Sequence, residues 1–246
     1  MRKHHRVYAI IPALNEAEAI VGVVNDLHSL RDPDGRPLID RVIVVDNGST
    51  DNTGILALKA GATVTKEPRR GYGYACMAGV YEANDADIML FVDGDNSILI
   101  NETPSLLKEI HQGSDLVIGA RIHVDPGAMT PPQLFGNWLA CFTTRFIWNV
   151  PISDLGPFRA IRKTAFYSLD MKDMTYGWTI EMQIKAFQQG QQITEVPVSI
   201  RCRLGRSKVS GTVRGVIGAG IGIFSMIAKL WWRERYSSSN HRAGHG

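Results

Sequence analysis

The sequence predicts an α/β protein built on a mostly parallel sheet flanked by helices. Three observations carry this prediction: strand-like apolar runs alternate with helical patterns through residue 121, the run at 88–92 has no polar interruption, and acidic turns containing glycine follow two of the runs. An uninterrupted apolar run is typical of a strand that is buried on both faces of a parallel sheet. Alternating strands and helices are typical of βαβ units.

Length and composition allow one large α/β domain or two small ones, and the cysteine usage is typical of a reducing compartment. The chain has 246 residues, of which 44% are hydrophobic, so a sizeable core is available. The formal net charge of +3 is too small to indicate a nucleic-acid partner. Cys76, Cys141 and Cys202 are odd in number and far apart, which predicts neither a disulfide framework nor a zinc site. We therefore expect a cytoplasmic location.

The first half of the chain supplies most of the regular elements. Strands are predicted at residues 7–11, 42–45, 62–65, 88–92 and 116–119. Asn15 and Glu18 have the spacing of a capping box ahead of the first helix, and Thr103, followed by a proline, begins a later one. Gly71 lies in a basic loop that precedes a helix at 73–84. The N-terminus of that helix could face a phosphate.

Two carboxylates, Asp93 and Asp95, follow the buried strand at 88–92 and are separated by Gly94. The carboxyl ends of parallel strands form the edge at which open α/β sheets bind ligands. Carboxylate oxygens are the ligands that hard divalent cations prefer, and such cations bridge to phosphates. A solvent-exposed turn explains this spacing equally well, because Asp and Gly dominate turns.

The second half of the chain is less regular. The apolar segment at 134–149 predicts a helix that is buried or contacts lipid. Gly177 opens a helix that carries Glu181. The segment at 193–200 predicts a strand, and Pro197 within it places that strand at an edge of the sheet.

The C-terminal region divides into a basic loop, a helix and a tail. Residues 201–208 hold four cations that could clamp a diphosphate. The apolar helix that follows has 14 uncharged residues between Arg214 and Lys229, which is short of the ~20 needed to span a bilayer. It could lie in a membrane interface or pack on its own domain. We therefore predict a domain at 1–211, a helix at 212–235 and a disordered tail at 236–246.

Five motifs, taken together, resemble those of family 2 inverting glycosyltransferases of GT-A fold, within the branch of the dolichyl-phosphate mannose and glucose synthases. They are Ile11-Pro12-Ala13-Leu14-Asn15-Glu16, Val44-Val45-Asp46-Asn47-Gly48-Ser49-Thr50-Asp51, Gly71-Tyr72-Gly73, Val92-Asp93-Gly94-Asp95 and Gly119-Ala120-Arg121. Their order and spacing match, and the resemblance covers residues 7–211. Five ordered motifs are far more specific than any one of them alone.

The resemblance implies a role for each matched residue. It implies nucleotide-sugar binding by Pro12, Ala13, Glu16, Asp46, Gly71, Asp93, Arg203, Ser207 and Lys208. It implies that Asp93 and Asp95 hold Mg²⁺ or Mn²⁺ on the donor diphosphate, and that Arg121 and Arg159 bind the acceptor. The expected catalytic set is Asp93, Asp95, Glu181 and Arg203.

The resulting hypothesis is metal-dependent transfer of a sugar from a UDP- or GDP-sugar to a polyprenyl or dolichyl phosphate, or to another lipid-associated acceptor. The enzyme would make peripheral contact with the cytoplasmic face of the membrane. A hydroxyl acceptor is an alternative, with Glu181 as base, because an alcohol needs a base whereas a phosphate is already anionic. Glu181 could instead simply pair with Lys185. A sugar-nucleotide pyrophosphorylase would need a glycine-rich loop after the first strand, which this chain lacks. A non-catalytic scaffold recruited to the membrane is the remaining alternative.

Overall fold

A computed structural model describes residues 5–205 and 213–243. Its strands form one seven-stranded sheet in the order β3-β2-β1-β4-β6-β5-β7. They are β1 Val7–Ala13, β2 Arg41–Asp46, β3 Thr63–Lys66, β4 Ile88–Phe91, β5 Leu116–Val124, β6 Arg159–Arg162 and β7 Ile193–Ile200. β6 is antiparallel to both of its neighbours, whereas the other pairings are parallel. The mostly parallel sheet predicted from the sequence is confirmed.

Helices cover both faces of the sheet. They are α1 Ile20–Ser29, α2 Thr53–Lys59, α3 Tyr72–Glu82, α4 Thr103–Gln112, α5 Pro131–Trp148, α6 Lys163–Ser168, α7 Trp178–Gln188 and α8 Val213–Ala243, with a 3₁₀ turn at Ile100–Glu102. Successive side chains of a strand point to opposite faces, so β1 sends Ile10 into one hydrophobic cluster and Ile11 into the other. Burial of all of β4 confirms the strand predicted from its uninterrupted apolar run.

Three local predictions need correction or extension. β6 has no counterpart among the predicted strands, and β5 continues to Val124 where the apolar pattern ends at residue 119. The predicted capping box at Asn15 and Glu18 is wrong, because α1 begins at Ile20 after Ala19. Asn15 instead has a φ of 54°, and its side-chain oxygen accepts a hydrogen bond from the Thr50 N–H at 2.7 Å.

The C-terminal helix α8 packs against α5 and α7. Its Met226, Ile227 and Leu230 are buried in the core cluster, while Ile217 and Trp232 are exposed. The helix continues to Ala243, so it takes in residues 236–243, which the sequence predicts as a disordered tail. In the described part of the chain, no helix combines the length and apolar content that crossing a membrane requires.

Candidate active site

A cleft of about 740 Å³ lies at the carboxyl ends of β1, β2 and β4. Its walls come from the loops that leave these strands, at residues 12–16, at Asn47 and between 93 and 98, together with residues 70–72 and Arg203. This is the edge at which open α/β sheets bind ligands. The topology therefore brings motifs that are far apart in sequence into one site.

Glu16, Asp95 and Arg203 form a charged cluster inside this cleft. One terminal nitrogen of Arg203 lies 2.9 Å from a Glu16 carboxylate oxygen, and the other lies 3.2 Å from Asp95 Oδ2. The second Asp95 oxygen accepts hydrogen bonds from the Ser97 N–H at 3.0 Å and the Ser97 hydroxyl at 2.6 Å. Leu204 N–H donates to the Asp95 carbonyl. The segment after β7 is therefore attached directly to the turn that carries the two aspartates.

Asp93 is the carboxyl group of the site with a strongly shifted pKa. Burial raises its pKa from 3.8 to about 7, and the negative charges of Asp95 and Glu16 add to the shift, while Arg121 and Arg203 oppose it. The Tyr72 hydroxyl lies 3.5 Å from Asp93 Oδ1, at the long limit of a hydrogen bond. The ligand-free site therefore favours the protonated, neutral form of Asp93.

The residues present fit a hard divalent cation that is shared with a bound diphosphate. Asp93 and Asp95 offer the carboxylate oxygens that Mg²⁺ and Mn²⁺ prefer. Residues 5–205 and 213–243 contain no group of three or more His, Cys, Asp or Glu side chains placed to hold a metal, so the remaining ligands would come from the diphosphate or water. Within the same residues, the buried Nε of Arg203 has no hydrogen-bond partner, which leaves a donor for an anionic oxygen.

Asn47 organises the side of the cleft opposite the aspartates. Its side-chain oxygen accepts the Gly71 N–H at 3.0 Å, and its amide donates to the Glu67 and Arg69 carbonyls at 2.8 and 2.7 Å. Asp46, which the resemblance assigned to nucleotide binding, ends β2 beside Asn47 and accepts the Ser49 N–H at 2.8 Å. Asn47 rather than Asp46 lines the cleft.

Residues 170–177 form a loop, called here the 170s loop, that packs against the start of α3. Gly71 has a φ of 152°, and a Cβ on it would lie 2.4 Å from the Met174 carbonyl oxygen. A Cβ on Gly73 would lie 2.6 Å from the backbone of Asp173 and Met174. The Tyr74 N–H donates to the Met174 carbonyl at 3.0 Å. These glycines thus allow the close approach that brings Tyr176 of the 170s loop into the cleft wall.

Glu181 does not have the position of a catalytic base. Its carboxylate is 1% exposed, lies 2.6 Å from the Lys185 ammonium, and accepts the Lys172 and Asp173 N–H groups at 2.7–3.0 Å. It is not part of the cleft lining. This position does not fit the catalytic role predicted for Glu181, and the predicted alternative, the ion pair with Lys185, is observed.

The two arginines expected at the acceptor have different surroundings. Arg121 lines the cleft and makes a bidentate ion pair with Asp154, with N–O distances of 2.8 and 2.6 Å. Arg159 is 1% exposed and donates to the carbonyl groups of Leu155, Gly156 and Thr179. Because these groups enclose its guanidinium beneath the site, acceptor binding by Arg159 does not fit the structure.

Most of the remaining predicted site residues line the cleft, and two lie outside the described part of the chain. The cleft lining includes Pro12, Ala13, Glu16, Gly71, Asp93, Asp95, Arg121 and Arg203. Ser207 and Lys208 lie outside the described residues. The cleft also contains Arg70, Tyr72, Gln133 and Tyr176, to which the sequence assigned no role. The basic loop gave a signal for Arg70, whereas the local sequence around Tyr176 gave none.

Comparisons with known proteins agree with this geometry. Residues 8–169 match the family model for glycosyl transferase family 2. An uncharacterized glycosyltransferase of Mycobacterium tuberculosis is 34% identical over 223 residues, covering 90% of this chain and 98% of that protein. The dolichyl-phosphate hexose transferase of Haloferax volcanii is 31% identical over 229 residues, covering 92% and 94%. The undecaprenyl-phosphate mannosyltransferase of Micrococcus luteus is 28% identical over 232 residues, covering 88% and 91%.

Solved structures of similar fold include glucosyl-3-phosphoglycerate synthase from Mycobacterium tuberculosis with Mn²⁺, UDP and glucosyl-3-phosphoglycerate. Its TM-score is 0.72 at 23% identity, covering 92% of this chain and 79% of that chain. The same enzyme with Mg²⁺ and UDP gives a TM-score of 0.69 at 24% identity. These likenesses concern the fold. The chain therefore belongs to glycosyl transferase family 2 and has the GT-A fold of these enzymes.

Proposed function

We propose that this glycosyltransferase moves a sugar from a UDP- or GDP-sugar to a polyprenyl phosphate, with inversion and with Mg²⁺ or Mn²⁺ held by Asp93 and Asp95. The observation that carries the proposal is the convergence of both aspartates and Arg203 in one cleft. A bound cation would neutralise charge on the diphosphate as the nucleotide leaves. Arg203 would donate to the same oxygens, a preorganised electrostatic role that is usually the largest catalytic contribution.

The donor side is supported by the nucleotide-facing wall. Pro12 and Ala13 line the cleft beside Asn47, and Asn47 holds the Gly71 backbone by a 3.0 Å hydrogen bond. Arg70 lies in the same wall and adds a second cation to that of Arg203. The solved structures with UDP and a divalent cation support the same class of donor for this chain.

The acceptor side favours a phosphate over a hydroxyl group. A phosphate monoester is anionic at neutral pH, since its second pKa is about 6, so it needs no protein base. Glu181, the base that a hydroxyl acceptor was expected to use, is enclosed away from the cleft. The names of the Haloferax and Micrococcus relatives specify polyprenyl-type phosphates, which supports the same acceptor class here. Such an acceptor would place the enzyme at the cytoplasmic face of a membrane, where α8 could contribute contact.

A transfer assay with three acceptors tests the proposal. Purified protein with Mn²⁺ is given labelled UDP- and GDP-sugars together with a polyprenyl phosphate, the matching polyprenol, or 3-phosphoglycerate. We expect label in the lipid phosphate alone. Transfer to 3-phosphoglycerate without transfer to the lipid phosphate would overturn the acceptor assignment and leave the family assignment intact. Formation of UTP or GTP together with sugar 1-phosphate when pyrophosphate is added would instead indicate pyrophosphorylase chemistry, and a fully inactive protein would favour the scaffold hypothesis.

Asp95→Asn tests the metal assignment. The substitution keeps an oxygen for the Ser97 hydrogen bonds but removes the charge, so Mn²⁺-dependent donor binding should be lost while the ligand-free protein remains folded. In a thermal-shift measurement, a donor at ~100 times its Kd stabilises the wild type by about 2.7 kcal/mol, and this gain should disappear. Turnover should fall at least ~100-fold.

The matched control is Asp34→Asn, which removes an exposed carboxylate from a distant loop. It should keep both the thermal shift and the turnover. An unchanged Mn²⁺-dependent shift in Asp95→Asn would show that the metal is held elsewhere.

A further inference from the structure

One face of α5 exposes a row of aromatic side chains, called here the α5 stripe: Phe135, Trp138, Phe142 and Phe146. Their exposed fractions are 61%, 57%, 54% and 82%. Consecutive members contact each other, with ring centroids 5.9, 5.5 and 6.5 Å apart. Residues three and four apart lie on the same face of a helix, so these rings form one continuous apolar surface.

Packing in the hydrophobic core does not explain why these four side chains are aromatic. The opposite side of α5 supplies the buried residues Ala140, Cys141, Thr144 and Trp148, which join the helix to the domain. The α5 stripe could therefore be polar without loss of core packing. Contiguous exposed apolar patches are uncommon on soluble monomers and mark sites of interaction with proteins or membranes.

The stripe begins beside the candidate active site. Gln133, in the first turn of α5, lines the cleft and accepts a hydrogen bond from the Thr130 N–H at 2.8 Å. α8 is packed on α5, and its Gly222 lies against Tyr176 of the cleft wall, where a Cβ would come within 2.9 Å of the tyrosine Cβ. α8 in turn exposes Ile217 and Ile221. Both helices thus connect the cleft wall to exposed apolar side chains.

The charges around this surface favour an anionic partner. Between residues 126 and 153 the only charged residue is Arg145, which is exposed beside Phe146. On α8, Lys229 and Arg233 are exposed. The carboxylate of Glu234 accepts hydrogen bonds from the Trp148 indole N–H and from Gln188. A symmetric contact with a second copy would bring like charges together, because α5 has no acid to pair with Arg145.

We propose that the α5 stripe is a docking surface for an anionic lipid bilayer. The aromatic rings would lie at the boundary between headgroups and acyl chains, as Trp and Phe do on interfacial helices, and Arg145 would contact lipid phosphates. This inference deepens the proposed function, and its purpose rests on that function: docking by this face would bring the first turn of α5, which borders the cleft through Gln133, close to the membrane that holds a polyprenyl phosphate. The physical basis, an exposed apolar face bordered by cations, is independent of the reaction.

Vesicle binding by the full chain tests this surface directly. The probe is a vesicle of equal parts phosphatidylglycerol and phosphatidylcholine, without donor or acceptor. Phe142→Ser with Phe146→Ser should weaken binding at least tenfold. The matched control is Ile55→Ser with Leu58→Ser, which removes two apolar side chains of similar exposure, 58% and 63%, from α2; it should bind vesicles like the wild type.

Fluorescence quenching locates the contact. Lipids brominated near the headgroup should quench part of the tryptophan emission of the bound protein. Trp138→Phe should remove most of the quenched part, while vesicle binding stays within about twofold because the phenyl ring replaces most of the apolar surface. Unchanged quenching in Trp138→Phe would move the contact to another tryptophan and overturn the assignment to α5.

Two further outcomes would overturn the proposal. The first is equal vesicle binding by the stripe variant and the α2 control. The second is an association of the wild type in sedimentation equilibrium that is lost in the stripe variant, with vesicle binding unchanged, which would make α5 an interface between copies. The proposed function is tested separately, by measuring sugar transfer to a short-chain, water-soluble isoprenyl phosphate that needs no membrane. The stripe variant should catalyse this transfer at the wild-type rate.

Discussion

Glu181 accepts hydrogen bonds from donors in two segments of the chain. The N–H groups of Lys172 and Asp173 come from the 170s loop, and the Lys185 ammonium comes from the next turn of α7. Lys185 also donates to the Asp170 carbonyl at 2.7 Å. This buried pair therefore fixes the loop that supplies Tyr176 to the cleft wall.

Glu181→Gln should consequently lower stability rather than abolish chemistry. The neutral amide leaves a buried ammonium without its counterion, a change that typically costs about 3–5 kcal/mol. Urea denaturation should show this loss, while turnover per folded molecule should stay within about tenfold of the wild type. The double variant with Lys185→Met removes both charges and should recover part of the lost stability. A hundredfold lower turnover at equal folded fraction would restore Glu181 as a catalytic base.

The contact between the 170s loop and the start of α3 depends on two glycines. Gly73 lies within a helix, where Ala is favoured by up to about 1 kcal/mol over Gly. Its Cβ, however, would meet backbone atoms of Asp173 and Met174 at 2.6 Å. Backbone cannot move aside as the end of a flexible side chain can, so the clash should outweigh the helix propensity.

Gly73→Ala should therefore destabilise the protein by roughly 1–3 kcal/mol and weaken donor binding by displacing the 170s loop. Gly136→Ala is the matched control, because Gly136 is also helical and a Cβ there has no atom within 4 Å. The control should gain up to about 1 kcal/mol. Urea denaturation and donor titration measure both effects. Equal gains in the two variants would show that the close approach at Gly73 does not constrain the loop.

Strands can be predicted from the sequence where the local pattern of residues indicates a buried strand. β4 and β7 could be predicted because an apolar run and a strand-like run containing proline are visible in the sequence. β6 could not, because it begins and ends with arginine. Arg159 is nevertheless buried, since carbonyl groups of Leu155 and Gly156 accept its hydrogen bonds, and such partners are known only once the chain is folded.

The molecule as a whole places a carboxyl group that prefers to hold a proton at the centre of a charged cleft. With a pKa of about 7 in the folded protein and 3.8 in the unfolded chain, Asp93 takes up a proton on folding when the pH lies between these two values. Its stabilising contribution is complete below about pH 4 and is lost as the pH rises towards 7. Glu67 affects stability in a separate pH range, because the hydrogen bond from Arg69 lowers its pKa to about 2.

The metal-free wild type should therefore lose stability relative to Asp93→Asn as the pH rises from 4.5 to 7. An amide resembles the protonated carboxyl, so the variant should lack this dependence. The slope of the difference should approach ~1.4 kcal/mol per pH unit, with roughly 2–4 kcal/mol in total. Denaturation curves at several pH values in the presence of a chelator measure it. A difference that stays flat over this range would mean that Asp93 is ionised in the folded protein.

At the scale of the site, the motifs predicted which residues meet but not how each side chain is oriented. Glu16, Asp93, Asp95 and Arg203 share one cleft, as motif order implied. The resemblance implied that Arg159 binds the acceptor, yet its guanidinium donates to backbone carbonyls beneath the cleft. Orientation of this kind follows from packing between distant segments, which spacing along the chain does not specify.

The position of β6 also governs how the protein can form on the ribosome. β6 lies between β4 and β5, and both partners of β5, β6 and β7, follow it in the chain. At ~5–20 residues per second, roughly 35 residues separate synthesis of β5 from that of β6, so a nascent chain carries unpaired edges on β4 and β5 for several seconds. Such edges are templates for aggregation. The yield of active enzyme should thus depend on chaperones that cover the unpaired edges of β4 and β5. This need ends when the four residues of β6, Arg159–Arg162, emerge and pair with both strands.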